Sequence, residues 1–138
     1  MRLAEPGDAA SLALMLHDFN REFGEPVPEP GDLARHLRGL LERAAITVLL
    51  AEGEGLVVMR FQPSLLSESL DCYLEEVYVV PARRRCGIGT ALMKAALGHA
   101  RDRVPATSTS GRARTTSARE RCTRASASVT AAVTRAVP

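Results

Sequence analysis

Apolar residues recur along this chain first at a helical spacing, then at a strand spacing, then at a helical one again. "MRLAE" reads as a short edge strand ended by Pro6 and Gly7. Asp8 reads as an N-cap for "AASLALMLHDFNREFG", in which Leu12, Met15 and Phe19 fall on one helical face and Gly24 supplies a stop. The connector "EPVPEPG" leads to a second amphipathic helix opened by Asp32, "DLARHLRGLLERA", with Leu33, Leu37 and Leu40 or Leu41 as its stripe. "AITVLLAE" and "LVVMRF", joined by the turn "EGEG", read as a hairpin. The polar loop "QPSLLSESL" separates it from a long strand, "DCYLEEVYVVP". Strict alternation on that strand puts Tyr73, Glu75, Val77 and Val79 on one face and Leu74, Glu76, Tyr78 and Val80 on the other. Pro81 ends it, having no N–H to give a ladder. The helix "GIGTALMKAALGHARDR" follows, with Ile88, Leu92 and Ala96 on one stripe and Met93, Leu97 and Ala100 beside it. The order is strand, helix, helix, strand, strand, strand, helix.

From Pro105 onward this patterning stops. Residues 105–138 contain no Leu, Ile, Met, Phe, Tyr, Trp or Lys, and their one acid, Glu120, stands against six arginines. Such a segment buries too little apolar area to offset roughly 1–2 kcal/mol of backbone entropy per residue. The expected division is therefore a folded domain over 1–103 and a low-complexity, disordered tail over 104–138. Aromatic content is only 4%, so aliphatic residues must build the core. The net charge of +2 and pI of about 8.6 neither demand nor exclude an anionic partner. Cys72, Cys86 and Cys122 show no CxxC spacing, which argues against a disulfide framework or a zinc site. Glu5 and Asp8 interrupt any leader, and no run approaches the roughly 20 apolar residues of a membrane span. A soluble, cytoplasmic protein without metal is expected.

The stretch "ARRRCGIGTALM" carries the candidate chemistry. A strand that turns through basic residues and glycines into a helix makes an anion site. Gly87 and Gly89 bring no Cβ between their amides and a ligand. The helix mouth at Gly89 and Thr90 offers unpaired N–H groups and the positive end of the dipole, worth roughly 0.3–1 kcal/mol per exposed contact. Arg83, Arg84 and Arg85 add planar donors suited to phosphate oxygens. A nucleotide-hydrolysing loop would need Lys and then Ser or Thr after Gly89, where Thr90 and Ala91 stand. A dinucleotide fingerprint would need a glycine at Leu92. What remains is a loop that grips a diphosphate without acting on it.

With "YLEEVYVVP" before it, the run Arg84, Arg85, Cys86, Gly87, Ile88, Gly89 resembles the signature of the GNAT superfamily of acyl-CoA-dependent N-acetyltransferases: Arg or Gln, two residues, Gly, one residue, then Gly or Ala. The preceding strand and two helices extend the resemblance over residues 1–103. It implies an α/β (α+β) fold with a mixed, mostly antiparallel sheet flanked by helices, its C-terminal part missing or disordered here. It implies that the loop amides from Arg84 to Thr90 hold the pyrophosphate of acetyl-CoA, and that the backbone of Val77 and Val79 bonds the pantetheine arm. An amine then attacks the thioester carbonyl while a base takes its proton and an acid protonates the departing thiolate. Glu75 and Glu76 are the base candidates, with a solvent-facing role for one and an arginine pair for the other as the bland reading. "YLEE" is similar to the branch acting on polyamines and other small amines. Arg85 departs from the family, which often has Gly there. His17, His36 and His99 read as ordinary surface or core residues, and Cys86 as the variable position of the loop.

The family also expects a further strand and then a helix carrying "ALYExxGF", whose Tyr is often the general acid. The tail as written has neither. When its coding bases are regrouped so that each residue's first two bases end a codon, however, Arg121, Cys122, Thr123 and Arg124 admit Ala, Leu, Tyr and Glu, and Ala127 and Ser128 admit Gly and Phe. Arg114, Thr115, Thr116 and Ser117 likewise admit Glu, Asp, Asp and Val, and Val104 with Pro105 admit Gly and Ala. A single-base deletion near the codons for Arg103 and Val104 accounts for the tail. The leading expectation is an N-acetyltransferase for a small-molecule or peptide amine, impaired by this change, with homodimerisation left open. The alternative is a non-catalytic acyl-CoA-binding or regulatory remnant. Sparse tail charge without interleaved aromatics argues against nucleic acid as a partner.

Overall fold

The computed structural model describes residues 1–65, 68 and 70–103, and the backbone of Arg114–Thr115; the remainder of the expected tail lies outside the described residues. The elements are β1 (Arg2–Leu3), α1 (Ala9–Glu22), α2 (Pro30–Glu42), β2 (Thr47–Ala51), β3 (Gly55–Pro63), β4 (Leu70–Val79), α3 (Ile88–Arg103) and β5 (Arg114–Thr115). The strands lie in the order β1-β2-β3-β4-β5. The first four pair antiparallel and β5 pairs parallel to β4. This is the mixed, mostly antiparallel sheet that the resemblance implies.

The sheet separates two cores. On one face α1 and α2 pack through Leu12, Met15, Phe19 and Leu37 against Val48, Leu50, Leu56, Val58 and Tyr78. On the other, α3 packs Leu92, Met93 and Ala96 against Leu49, Val57, Met59 and Leu74. The apolar stripes read from the sequence are thus the ones buried, because a helix holds its place by burying one face. Leu12, Leu56, Met59 and Leu92 are essentially sealed from water.

Two boundaries differ from the sequence reading. Helix α2 opens at Pro30, two residues before Asp32, since proline at the first helical position gives up only an N–H that has no partner there. Asp8 closes a 3₁₀ turn over Pro6–Asp8 instead of capping α1 with its side chain. Its carboxylate accepts the Glu5 N–H at 2.7 Å and the Arg2 guanidinium at 2.8 Å, which pull its pKa down to about 2.

The larger difference is in β4. Val58 faces Glu76 while the next residue, Met59, faces Leu74, so Glu75 is an extra residue opposite no partner, a β-bulge. The bulge breaks the alternation expected for this strand. Leu74 lies on the α3 face together with Val77 and Val79, and Tyr78 lies on the α1 and α2 face. The two residues between Leu74 and Val77 therefore both project to the α1 and α2 face. Glu75 and Glu76, placed on opposite faces by strict alternation, share one.

Hairpin β2–β3 sets how closely the end of β4 can approach. A Cβ on Gly55 would collide with the Tyr78 carbonyl oxygen and press on Leu92 and Val79. Gly55→Ala is expected to lower the unfolding free energy by about 1–3 kcal/mol, the usual cost of forcing atoms into a filled site. Chemical denaturation of the full chain checks this.

Candidate functional site

The candidate site is built where β4 ends. After Val79 the chain enters a 3₁₀ turn over Pro81–Arg83, then passes through Arg84, Arg85, Cys86 and Gly87 into α3. Two residues of this loop take the left-handed backbone: Arg85 with φ of 64° and Gly87 with φ of 79°. Glycine tolerates that conformation freely, and open space surrounds the position a Gly87 Cβ would take. Arginine does not, at a cost of roughly 1–2 kcal/mol for a residue with a Cβ. The glycine that the resemblance leads one to expect at position 85 thus has a backbone reason. Gly89 lies within α3, where a Cβ would make only an ordinary contact with the Val79 side chain.

The first internal bond at the helix mouth runs from the Ala91 N–H to the Gly87 carbonyl at 3.0 Å. Among the described residues, no backbone or side-chain acceptor takes the amides of residues 85–90. Cys86 and Gly87 are exposed, and Ile88 and Gly89 are partly so. The glycine turn therefore presents a run of uncapped donors to solvent, the arrangement an anion needs.

The three arginines divide their work. The Arg83 Nε donates to Glu54 in the β2–β3 turn at 2.7 Å, and the Val80 N–H bonds the Glu54 carbonyl at 2.9 Å. The Arg84 Nε donates to the Val79 carbonyl at 3.0 Å, and its two terminal nitrogens grip both oxygens of Glu22 on α1 at 2.6 Å each. This fork holds Glu22 below its ordinary pKa. Arg84 also lies 6.0 Å from the centre of the Tyr78 ring, which leans on Phe19 at 5.1 Å. Burial first, and then the Glu22 charge, raise the Tyr78 pKa. Among the described residues, Arg85 alone of the three pairs with no carboxylate. The sequence reading had all three arginines facing phosphate; two of the guanidiniums are instead directed onto Glu54 and Glu22.

Next to the loop, β5 pairs with β4 only at Tyr73 and Leu74. Beyond Leu74, among the described residues, no strand covers the outer edge of β4 through Val77 and Val79. The fifth strand, whose loss the frame argument anticipates, is present over these two residues. Glu75 pairs with Arg60 of β3, Nε to Oε1 at 2.8 Å. Glu76 is half-buried, with Oε2 shielded from water. Glu22, Glu54 and Arg60 were missed from sequence, because charges 62 and 29 residues apart carry no local sign of meeting.

The remaining side chains carry less. Burial pushes the Cys72 thiol up to about 11, while Cys86 is exposed on the loop, its thiol 3.7 Å from the Arg84 carbonyl. His99 packs its ring edgewise on Phe61 at 5.9 Å. Among the described residues, no cluster of metal-ligating side chains forms and no helix is long and apolar enough to cross a membrane.

A bulged central strand thus runs through a glycine turn into a helix mouth, and beyond Leu74 its outer edge has no partner strand among the described residues. The model of the acetyltransferase (GNAT) family matches residues 12–135, and the chain belongs to that family, whose reaction class is acyl transfer. A protein of Arthrobacter sp. FB24 described as an acetyltransferase is 44% identical, with a TM-score of 0.67 over 74% of this chain and 67% of its own. A second structure described as an acetyltransferase, 21% identical, has a TM-score of 0.74 over 90% of this chain and 84% of its own. A third from Clostridium acetobutylicum, described as an acetyltransferase with acetyl-CoA, is 20% identical with a TM-score of 0.59 over 74% and 73%. These last two show the fold. No curated protein matches the chain.

Proposed function

We propose that this protein is an acetyl-CoA-dependent N-acetyltransferase for a primary amine of a small molecule or peptide, working in the cytoplasm. One observation carries the reading: the amides of residues 85–90, curled by the left-handed Gly87 and uncapped among the described residues, at the end of a strand whose outer edge beyond Leu74 has no partner strand among them. The diphosphate of the coenzyme binds these amides with Arg85 beside them. The pantetheine amides continue the ladder along Val77 and Val79, as an added strand does on any free edge. That course carries the thioester along β4 toward the bulge, on whose α1 and α2 face Glu75 and Glu76 stand. The neutral amine nitrogen bonds to the thioester carbon, the carbon–sulfur bond breaks, and the thiolate leaves with its electron pair. A carboxylate of β4 takes the ammonium proton and an acid supplies one to the thiolate. Glu76 is the better-placed base: it keeps register with Val58 beside Val77 and has its Oε2 shielded from water, whereas Glu75 is the bulged residue turned onto Arg60 of β3.

The acceptor class rests on the paired glutamates and on the fold's record. A structure of the same fold, 21% identical, is described as an aminoglycoside acetyltransferase in complex with sisomicin. For the acid, the frame-shifted tail leaves Thr123 where the family's tyrosine belongs. Residues 1–103 then bind coenzyme while transfer is impaired, which is how the remnant reading fits the same chain.

Cys86 gives a direct test. Acetyl-CoA or CoA is expected to slow alkylation of the Cys86 thiol at least about fivefold, with peptide mapping separating it from Cys72 and Cys122. Titration calorimetry of the full chain should show one site in the micromolar range, typical of a coenzyme held by a few anion contacts. No protection and no heat would remove the coenzyme reading.

A further inference from the structure

The loop that forms the anion cradle is not held in shape by its own sequence. Arg85 sits in a left-handed conformation that its side chain disfavours, and the amides from 85 to 90 make no bonds among the described residues that would fix them. Stiffness must come from outside the loop. The most exact support is at Arg84, immediately before the strained residue. Its guanidinium reaches back to the Val79 carbonyl and across to both oxygens of Glu22, 62 positions earlier on α1. Tyr78, buried against Phe19 of the same helix, lies beneath it. Strand end, loop and α1 thereby meet in one bidentate fork, the geometry that fixes a planar group most firmly.

We propose that Glu22 and Arg84 are positioning residues for the coenzyme loop: a brace that pins the loop to α1 and pre-shapes the amides for the diphosphate. Neither touches the ligand through its side chain. Because α1 covers the sheet face on which Glu75 and Glu76 stand, the brace also fixes the coenzyme end of the site relative to the face that takes the amine. The inference rests on the coenzyme reading above, and its test separates the two.

The sign of one substitution is decisive. Glu22→Gln removes a negative charge near the loop and frees the positive charge of Arg84. If the loop acted through charge alone, an anion would then bind more tightly. A brace predicts the opposite, and CoA affinity measured by calorimetry on the full chain should weaken about five- to tenfold. Glu22→Asp, which keeps the charge but shortens the reach, should fall between. Arg2→Gln, which breaks ion pairs to Asp8 and Glu52 remote from the loop, should leave the affinity unchanged.

A readout without coenzyme accompanies this. Trypsin cleavage after Arg85, followed by mass spectrometry, should speed up severalfold in Glu22→Gln while the melting temperature moves by only a few degrees. Cleavage at the wild-type rate overturns the brace whether or not CoA binds. Equal or tighter CoA binding by Glu22→Gln overturns it as well. Faster cleavage together with no CoA binding by the wild-type chain keeps the brace and removes the coenzyme reading instead.

Discussion

Restoring one base near the codons for Arg103 and Val104 is expected to raise the rate of acetyl transfer to a small amine about 100- to 10,000-fold over the chain as written, the usual worth of a positioned proton donor. The regrouped text turns the position of Thr123 into a tyrosine within Ala-Leu-Tyr-Glu, followed two residues later by Gly-Phe. A phenol of pKa about 10 can protonate a departing thiolate, whereas a threonine hydroxyl is a far weaker acid. Both proteins are compared by trapping the released thiol at equal concentration. Their affinities for CoA should differ much less, because the loop over residues 85–90 lies upstream of the shift. A restored protein no faster than the original would sink the frame hypothesis, while the mass of the protein isolated from its natural source tells whether the cell makes this tail.

In that restored background, replacing Glu76 with Gln should lower kcat about 100-fold, and the same change at Glu75 should lower it less than about tenfold. Glutamine keeps the shape of the side chain but cannot take a proton from an attacking amine. The difference between neighbours comes from the bulge. Both carboxylates project to the α1 and α2 face, but Glu75 is the bulged residue, turned onto the Arg60 guanidinium of β3, while Glu76 keeps register with Val58. Glu76 has its Oε2 shielded from water and stands one residue closer to Val77, along which the pantetheine arm is proposed to pair. Rate measured against pH supplies a second check, since removal of the working base should flatten the acid limb of kcat. If Glu75→Gln has the larger effect, the role passes to Glu75; if both effects are small, neither carboxylate is the base.

Periodicity made most of this fold readable. Leu12, Met15 and Phe19 on α1 and Leu92 and Ala96 on α3 were placed correctly because a helix repeats its buried face every three to four residues. A one-residue bulge leaves no such trace. Its only mark in the sequence is a pair of adjacent glutamates between Leu74 and Val77, where strict alternation would want one polar residue and not two. Within the loop, glycine spacing and the helix signal were enough to locate uncapped amides, a local property of backbone. The directions of Arg83 and Arg84 were not readable, because they depend on Glu54 and Glu22, which only the folded chain brings near. The left-handed turn at Arg85 was foreshadowed by the family's glycine, yet its φ had to be seen to explain it.

The way Arg83 and Arg84 are tied up has an effect on recognition. With both guanidiniums neutralised by their own carboxylates, the long-range pull of the turn on anions comes down to Arg85 and the helix mouth. Selection is left to close range, where a ligand must match a curved row of N–H groups in outline. On the coenzyme reading, such a surface would favour the bent, doubly charged linkage of a diphosphate over simple inorganic ions that carry comparable charge.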